Sequence, residues 1–288
     1  MSLSDFVLAR AAEFGDKPAL IDAPSGRTIT YAQLRESVRV VAAGLDERGF
    51  RKGEVFAHYA PNLPEYAVAF HAVATLGGIN TTANPLLTSE ELARQLSDCE
   101  ARLLVTVPER VAAAKVAADA SGVEEIFVYG EAAGATPFAS LLRTGGEPPS
   151  VAIEPAEDLV ALPYSSDTTG IPKGVMLTHQ NLVANICQTT RLFHTSERDR
   201  SIAVLPFFHI YRLVVIMNLV LERGATIVTM PRIELHEFLR VIQDYRITRA
   251  AVVPPIVLAL AKHPLVDEFD LSSLRFVGSG AAPLSAEL

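Results

Sequence analysis

Residues 164–175 read Tyr-Ser-Ser-Asp-Thr-Thr-Gly-Ile-Pro-Lys-Gly-Val, placing four Ser/Thr hydroxyls, two glycines and one lysine within 12 positions. Just before them, the apolar run Leu-Val-Ala-Leu at 159–162 has the length of a short buried strand. Just after, Thr178 suits the N-cap of a helix beginning at 179 and running through 186. A loop between a strand and a helix can turn backbone N–H groups and hydroxyls towards an anion while a lysine neutralises it. Ser165, Ser166, Thr168, Thr169, Gly170 and Lys173 are therefore candidate phosphate-binding residues, with Asp167 in their midst. The competing reading is a solvated turn, which does not account for the Pro-Lys-Gly that follows. The spacing is not that of the common nucleotide loop, Gly-x4-Gly-Lys-Ser/Thr.

Two further segments carry chemistry. In Pro206-Phe207-Phe208-His209-Ile210-Tyr211-Arg212, a histidine closes an apolar run. Alone, such a histidine is more often a satisfied core residue than a catalyst. Residues 277–284, Val-Gly-Ser-Gly-Ala-Ala-Pro-Leu, follow an expected strand. They imitate a dinucleotide fingerprint, but Pro283 takes the sixth position and no ribose-binding acid follows. His194 and Asp199 have the His-x4-Asp spacing of an acyltransferase pair, a pattern short enough to arise by chance. No Gly-x-Ser-x-Gly elbow occurs, and the remaining histidines are not paired at ligand spacing, so no protein-held metal is expected.

These segments need a scaffold, and the alternation of patterns provides one. Strands are predicted at 18–22, 27–31, 55–58, 79–82, 103–106, 126–129, 159–162, 201–205, 225–229, 249–253 and 274–277. Helices are predicted at 31–48 (capped by Thr30), 63–76, 89–98, 109–120, 235–244 and 254–262, with another from the His209 segment to 221. The rhythm is that of βαβ units and an α/β fold with mostly parallel sheets flanked by helices. Residues 130–156, rich in Gly, Ala and Pro, divide it into two linked subdomains, 1–155 and 156–288. The 288 residues are 49% hydrophobic and 20% charged, as in a soluble globular protein, and the net charge of −8 argues against nucleic-acid binding. Cys99 and Cys187 stand far apart, which suits reduced thiols in the cytoplasm. No signal peptide and no run long enough to span a bilayer is visible.

The loop resembles the phosphate loop of the adenylate-forming (AMP-binding) superfamily, whose pattern is close to [ST]-[ST]-G-T-T-G-x-P-K-G-V. It matches at all positions except Asp167, where the family has glycine. The His209 segment is similar to the family's P-F-F-H-x-[YF]-G, and residues 280–284 to its G-[AS]-A-P-L. Their order and spacing resemble those of 4-coumarate-CoA-ligase-like enzymes over nearly the whole chain. The resemblance implies an ATP-dependent acyl- or aryl-CoA ligase: carboxylic acid and Mg-ATP give an acyl-AMP, which CoA converts to the thioester. It implies that Lys173 and the loop hold the phosphates and that His209 steadies the reacting centre. It also implies that Tyr211, Arg212, Val253, Pro254, Gly280 and Ala281 line the acid's pocket, and that Gly280, Ala281, Ala282 and Pro283 border the nucleotide. An aromatic, hydroxycinnamate-like acid is favoured over a medium-chain fatty acid.

The family extends well beyond this length, so the chain is expected to be the first half or so of a ligase. The Y-G-x-T-E segment, the ribose-gripping aspartate and the small domain with its catalytic lysine do not occur in it. The alternative is therefore a binding module without turnover, able to self-associate through an open sheet edge. Asp167 and Arg212 also replace family glycines. A carboxylate ~4 Å from a phosphate charge at an effective dielectric of ~20 costs ~4 kcal/mol, unless Asp167 and Arg212 pair across the site.

Overall fold

The structure, a computed structural model, describes residues 1–143, 145–165 and 172–285. In chain order its strands are β1 Pro18–Asp22, β2 Thr28–Thr30, β3 Val55–Tyr59, β4 Ile79–Thr82, β5 Ala101–Thr106, β6 Glu125–Val128 and β7 Thr136–Pro137. They continue with β8 Leu159–Pro163, β9 Leu177–Thr178, β10 Arg200–Ala203, β11 Thr226–Thr229, β12 Arg249–Val252 and β13 Phe276–Ser279. One sheet is six-stranded, in the order β13-β12-β10-β11-β1-β2, and the other seven-stranded, β7-β6-β5-β3-β4-β8-β9. Pairing is parallel except in the β1/β2 and β8/β9 hairpins. The expected α/β class with two mostly parallel sheets and flanking helices is what forms.

Sheet membership crosses residue 155 in both directions. The N-terminal hairpin β1/β2 joins the sheet built otherwise from β10 to β13, with Leu20 opposite Ile227. The hairpin β8/β9 joins the sheet of β3 to β7, with Ala161 opposite Asn80. Each sheet is thus completed by strands from the other half of the sequence.

Helix Pro64–Thr75 shows why the sheets share one core. Pro64 provides a ready-made first turn, and ten of its residues are buried, which is the signature of a helix enclosed on all sides. Tyr66 on this helix lies 5.6 Å, ring to ring, from Phe207 after β10. Phe56 and Val160 of one sheet and Ile202 and Ile227 of the other belong to the same buried cluster.

The helix starts predicted from Thr30 and Thr178 are both capping boxes, closed reciprocally by Gln33 and Asn181. The helix from His179 runs further than its pattern suggested, to Phe193. The segment after His209 is not one regular helix. It begins as Ile210–Arg212, passes through a π-helical stretch at Leu213–Asn218 and ends as Leu219–Glu222. Residues 130–156 are not wholly irregular, since β7 and the 3-10 turn Phe138–Arg143 lie within them.

Candidate active site

Parallel α/β sheets present ligand sites beyond the carboxyl ends of their strands, and the chemistry-bearing segments fall there. The His209 segment leaves the end of β10, and a single buried side chain shapes its turn. Asn62 donates through Nδ2 to the carbonyls of Ala203 (2.8 Å) and Leu205 (2.9 Å). Its Oδ1 accepts from the Phe207 N–H at 2.7 Å. The bonds to Leu205 and Phe207 satisfy main-chain groups that leave the ladder as β10 ends, while the Ala203 carbonyl also accepts the Met230 N–H at 3.1 Å. One turn further, Thr82 at the end of β4 donates from Oγ1 to the Phe208 carbonyl at 2.7 Å. This bond ties the His209 turn to the opposite sheet. Thr82 is paired with Pro163, the last residue of β8, from which the phosphate loop departs. The loop stem and the histidine turn are therefore brought to one rim by adjacent strands.

The loop stem is a hairpin, which corrects the expected strand–loop–helix arrangement. β9 intervenes before the helix and pairs back on β8. The stem is extended by the Tyr164–Gly174 bridge and by hydrogen bonds from the Ser165 N–H to the Lys173 carbonyl (3.0 Å) and from the Val175 N–H to the Pro163 carbonyl (2.9 Å). Tyr164 lies across Gly174 and donates its hydroxyl to Asp98. A Cβ added at Gly174 would stand 3.2 Å from the tyrosine Cζ and 3.4 Å from Leu162 Cδ2. Glycine lets the ring pack closely there, a reason separate from any phosphate. Ser165 and Lys173 are exposed at the mouth of the stem. Ser166, Asp167, Thr168, Thr169 and Gly170 lie outside the described residues, and with them any Asp167–Arg212 pairing.

The third segment leaves β13 beside β12. Ser279 pairs with Val252, and the Gly280 N–H donates to the Val252 carbonyl at 3.1 Å. Val253 and Pro254 start the helix Pro254–Lys262 next to it. A Cβ on Gly280 would meet Tyr211 Cζ at 3.4 Å and its hydroxyl at 3.5 Å. Gly280, Tyr211 and the β12 turn thus converge, while Ala281, Ala282 and Pro283 are exposed beyond them. Ala281 has φ +70°, a left-handed conformation that suits glycine better. His209 is exposed; desolvation first and the Arg212 charge second lower its pKa, leaving the imidazole neutral at pH 7. Arg212 is 6% exposed, and burial likewise lowers its pKa.

The AMP-binding enzyme family model matches residues 7–288. The chain is 41% identical over 294 aligned residues to 4-coumarate–CoA ligase 1 of Petroselinum crispum and 42% over 293 to 4-coumarate–CoA ligase 5 of Oryza sativa subsp. japonica. Both alignments cover 100% of the chain and 54% of the relative. The chain belongs to the AMP-binding enzyme family. It corresponds to the N-terminal part of these relatives and spans about half their length. A long-chain-fatty-acid-CoA ligase from Archaeoglobus fulgidus superposes with a TM-score of 0.90 at 29% identity, covering 100% of this chain and 59% of that one. A red-emitting luciferase from Phrixothrix hirtus superposes with a TM-score of 0.89 at 25% identity, covering 99% and 72%.

For an AMP-binding enzyme, what the sequence reading missed is the framework under the motifs. Asn62, 3% exposed, sits in Pro61-Asn62-Leu63-Pro64 after β3, where an amide flanked by turn residues and apolar neighbours was the available signal. Thr82 and Tyr164 left no such mark. Glu234, His236 and Glu237 bring one ligand atom each within 4.8 Å, an arrangement the sequence reading did not single out. The two Glu234 carboxylate oxygens already accept from the His236 and Glu237 N–H groups as a helix cap, so the cluster has a structural explanation. Among the described residues no helix is long and apolar enough to cross a membrane.

Proposed function

We propose that the chain carries the adenylating half of an acyl- or aryl-CoA ligase. A carboxylic acid and Mg-ATP react to acyl-AMP and pyrophosphate, and CoA then displaces AMP to give the acyl-CoA. The observation that carries this reading is the Thr82–Phe208 bond, which holds the His209 turn against the strand adjoining β8 and its phosphate loop. In this reading the acid's carboxylate oxygen attacks the α-phosphorus in line with the departing pyrophosphate, so catalysis consists of positioning and charge stabilisation. Lys173, Ser165 and the loop residues 166–170 take the phosphates. His209, neutral at pH 7, donates an imidazole N–H to charge developing at the reacting oxygens. Gly280, Ala281, Ala282 and Pro283 border the adenine, with magnesium arriving as part of the nucleotide substrate.

Tyr211, Val253, Pro254 and the side-chain-free surface at Gly280 form the acid's pocket. The aromatic wall and the 4-coumarate–CoA ligase relatives favour an aromatic acid over a medium-chain fatty acid. The two sheets, each completed by a hairpin from the other side of residue 155, act as the chain's two subdomains in place of the simple division into 1–155 and 156–288. Cys99 and Cys187 are both free, in keeping with a cytoplasmic protein.

The test is mass-spectrometric detection of acyl-AMP after incubation with Mg-ATP and a mixture of aromatic and fatty acids, with Lys173→Ala alongside. Adenylate from aromatic acids that disappears in the variant supports the reading. A folded chain that binds acid or ATP and forms no adenylate supports the module without turnover.

A further inference from the structure

Arg212 is a buried cation without a counter-charge among the described residues. It is 6% exposed, and its Nε has no hydrogen-bond partner among the described residues. No carboxylate among the described residues lies within ion-pair distance of it, although 15 other ion pairs involving histidine, lysine or arginine form there. Its guanidinium carbon stands 5.6 Å from the Tyr211 ring centroid. A contact of that kind offsets only part of the desolvation of a full charge.

The location is as informative as the missing partner. The Tyr211 ring beside the guanidinium is the same ring that covers the place a Gly280 side chain would fill. Immediately after Arg212 the helix widens into the π-helical stretch Leu213–Asn218, a distortion that recurs at functional sites. Asn218 Nδ2 donates to the Leu213 carbonyl at 2.8 Å, bracing the stretch from within. The backbone is thus irregular where it presents Arg212, and the residue is buried next to the wall assigned to the acid.

We infer that Arg212 is a specificity-determining residue whose guanidinium receives a second anionic group on the acid's tail, so that the favoured substrates are aryl acids bearing a second carboxylate. This rests on the ligase reading for the location of the acid, and it goes beyond that reading in naming the tail's charge. A guanidinium offers a fork of N–H donors that matches a carboxylate bidentately. A neutral tail leaves the buried charge without compensation. The reacting carboxylate is served by His209, on the exposed side of the turn.

The experiment is isothermal titration of the chain, without ATP, with 4-carboxycinnamate and the similarly shaped, neutral-tailed 4-methylcinnamate. The expected result is that the wild-type chain binds the dicarboxylate at least about tenfold more tightly, the scale of one charge-assisted hydrogen bond. The preference should vanish in Arg212→Gln and persist in part in Arg212→Lys. Equal affinity for the two acids in the wild-type chain overturns the inference, as does binding of neither by folded protein. An undiminished preference in a folded Arg212→Gln variant overturns it as well. Circular dichroism establishes folding; if Arg212→Gln does not fold, the wild-type and Arg212→Lys titrations decide. An internal carboxylate that neutralised Arg212 would appear as equal affinity. Selective binding without adenylate formation removes the ligase reading and leaves this inference standing, whereas adenylate formation with equal affinities does the reverse.

Discussion

Two strand-end turns meet at the candidate site, and they are held in different ways. The His209 turn after β10 is fastened by buried side chains from elsewhere in the chain, Asn62 through three hydrogen bonds and Thr82 through one. The phosphate-loop stem after β8 is held largely by its own backbone, through one bridge and two flanking hydrogen bonds, with Tyr164 packed across Gly174. In the proposed reaction the histidine must occupy one place relative to reacting atoms, and fixed side-chain partners would provide that. A loop that, as proposed, grips a polyphosphate with many equivalent donors would need only its ends fixed. The difference suggests that damage to the first turn appears mainly in stability, and damage to the second mainly in activity.

The sharpest way to break this contrast is Asn62→Ala. It removes the partners of the Leu205 carbonyl and the Phe207 N–H in a buried setting, where each unsatisfied group costs about 1–3 kcal/mol, while the Ala203 carbonyl keeps the Met230 N–H. A loss of about 3 kcal/mol in urea unfolding is expected, and a loss below about 1 kcal/mol would show that the turn does not depend on this clamp. Lys173→Ala provides the complementary case. Adenylate formation should fall about 100-fold, equivalent to about 2.7 kcal/mol, while unfolding changes by no more than about 0.5 kcal/mol because the side chain is exposed. A large stability change with activity retained would reverse the assignment.

Acid should act on the loop side through His179, the first residue of the helix that follows the stem. This buried imidazole accepts the Leu3 N–H at Nδ1 (3.0 Å), and burial lowers its pKa to about 4. Unfolded histidine titrates near 6.5. Between about pH 6.5 and 4 the unfolded chain therefore binds more protons, and stability falls as pH falls, with a slope approaching about 1.4 kcal/mol per pH unit from this group. His58 and His71, lowered by burial to about 4 and about 3, act in the same direction. Urea titrations at pH 7, 6 and 5 measure the slope, and an unchanged slope in His179→Gln would exclude this residue as a contributor.

The smallest effect concerns Gly174. Adding a methyl group 3.2 Å from the Tyr164 ring should cost about 1 kcal/mol. Shrinking the neighbour in Gly174→Ala/Tyr164→Leu should remove most of the coupling between the two positions. Strict additivity in this double-mutant cycle would mean that the two residues do not pack as described.

The division between what could be read and what could not runs along the same contrast. Lys173 and His209 stood out as candidates because glycines, hydroxyls and a lysine in one short loop, or a histidine closing an apolar run, are unusual as local patterns, and Gly280 because it opens the Gly-Ala-Ala-Pro-Leu segment. The α/β class was legible from alternating periods of two and 3.6. β9 was not, since two residues are too few to display a period. Nor was the π-helical stretch after Arg212, because an apolar run looks the same whichever helical hydrogen-bond spacing it adopts.

What the amino-acid sequence determined by itself was the α/β class, most of the longer elements and the caps at Thr30 and Thr178, all of them products of neighbours within a few positions, and it named the candidates for the chemistry. Only the tertiary structure decided that β1/β2 and β8/β9 would each complete the sheet of the other half. It alone also placed Asn62 and Thr82 beneath residues 126 to 145 positions away. Such partners are chosen by burial and main-chain hydrogen-bond demand, which arise once strands are stacked and leave no periodic trace along the chain.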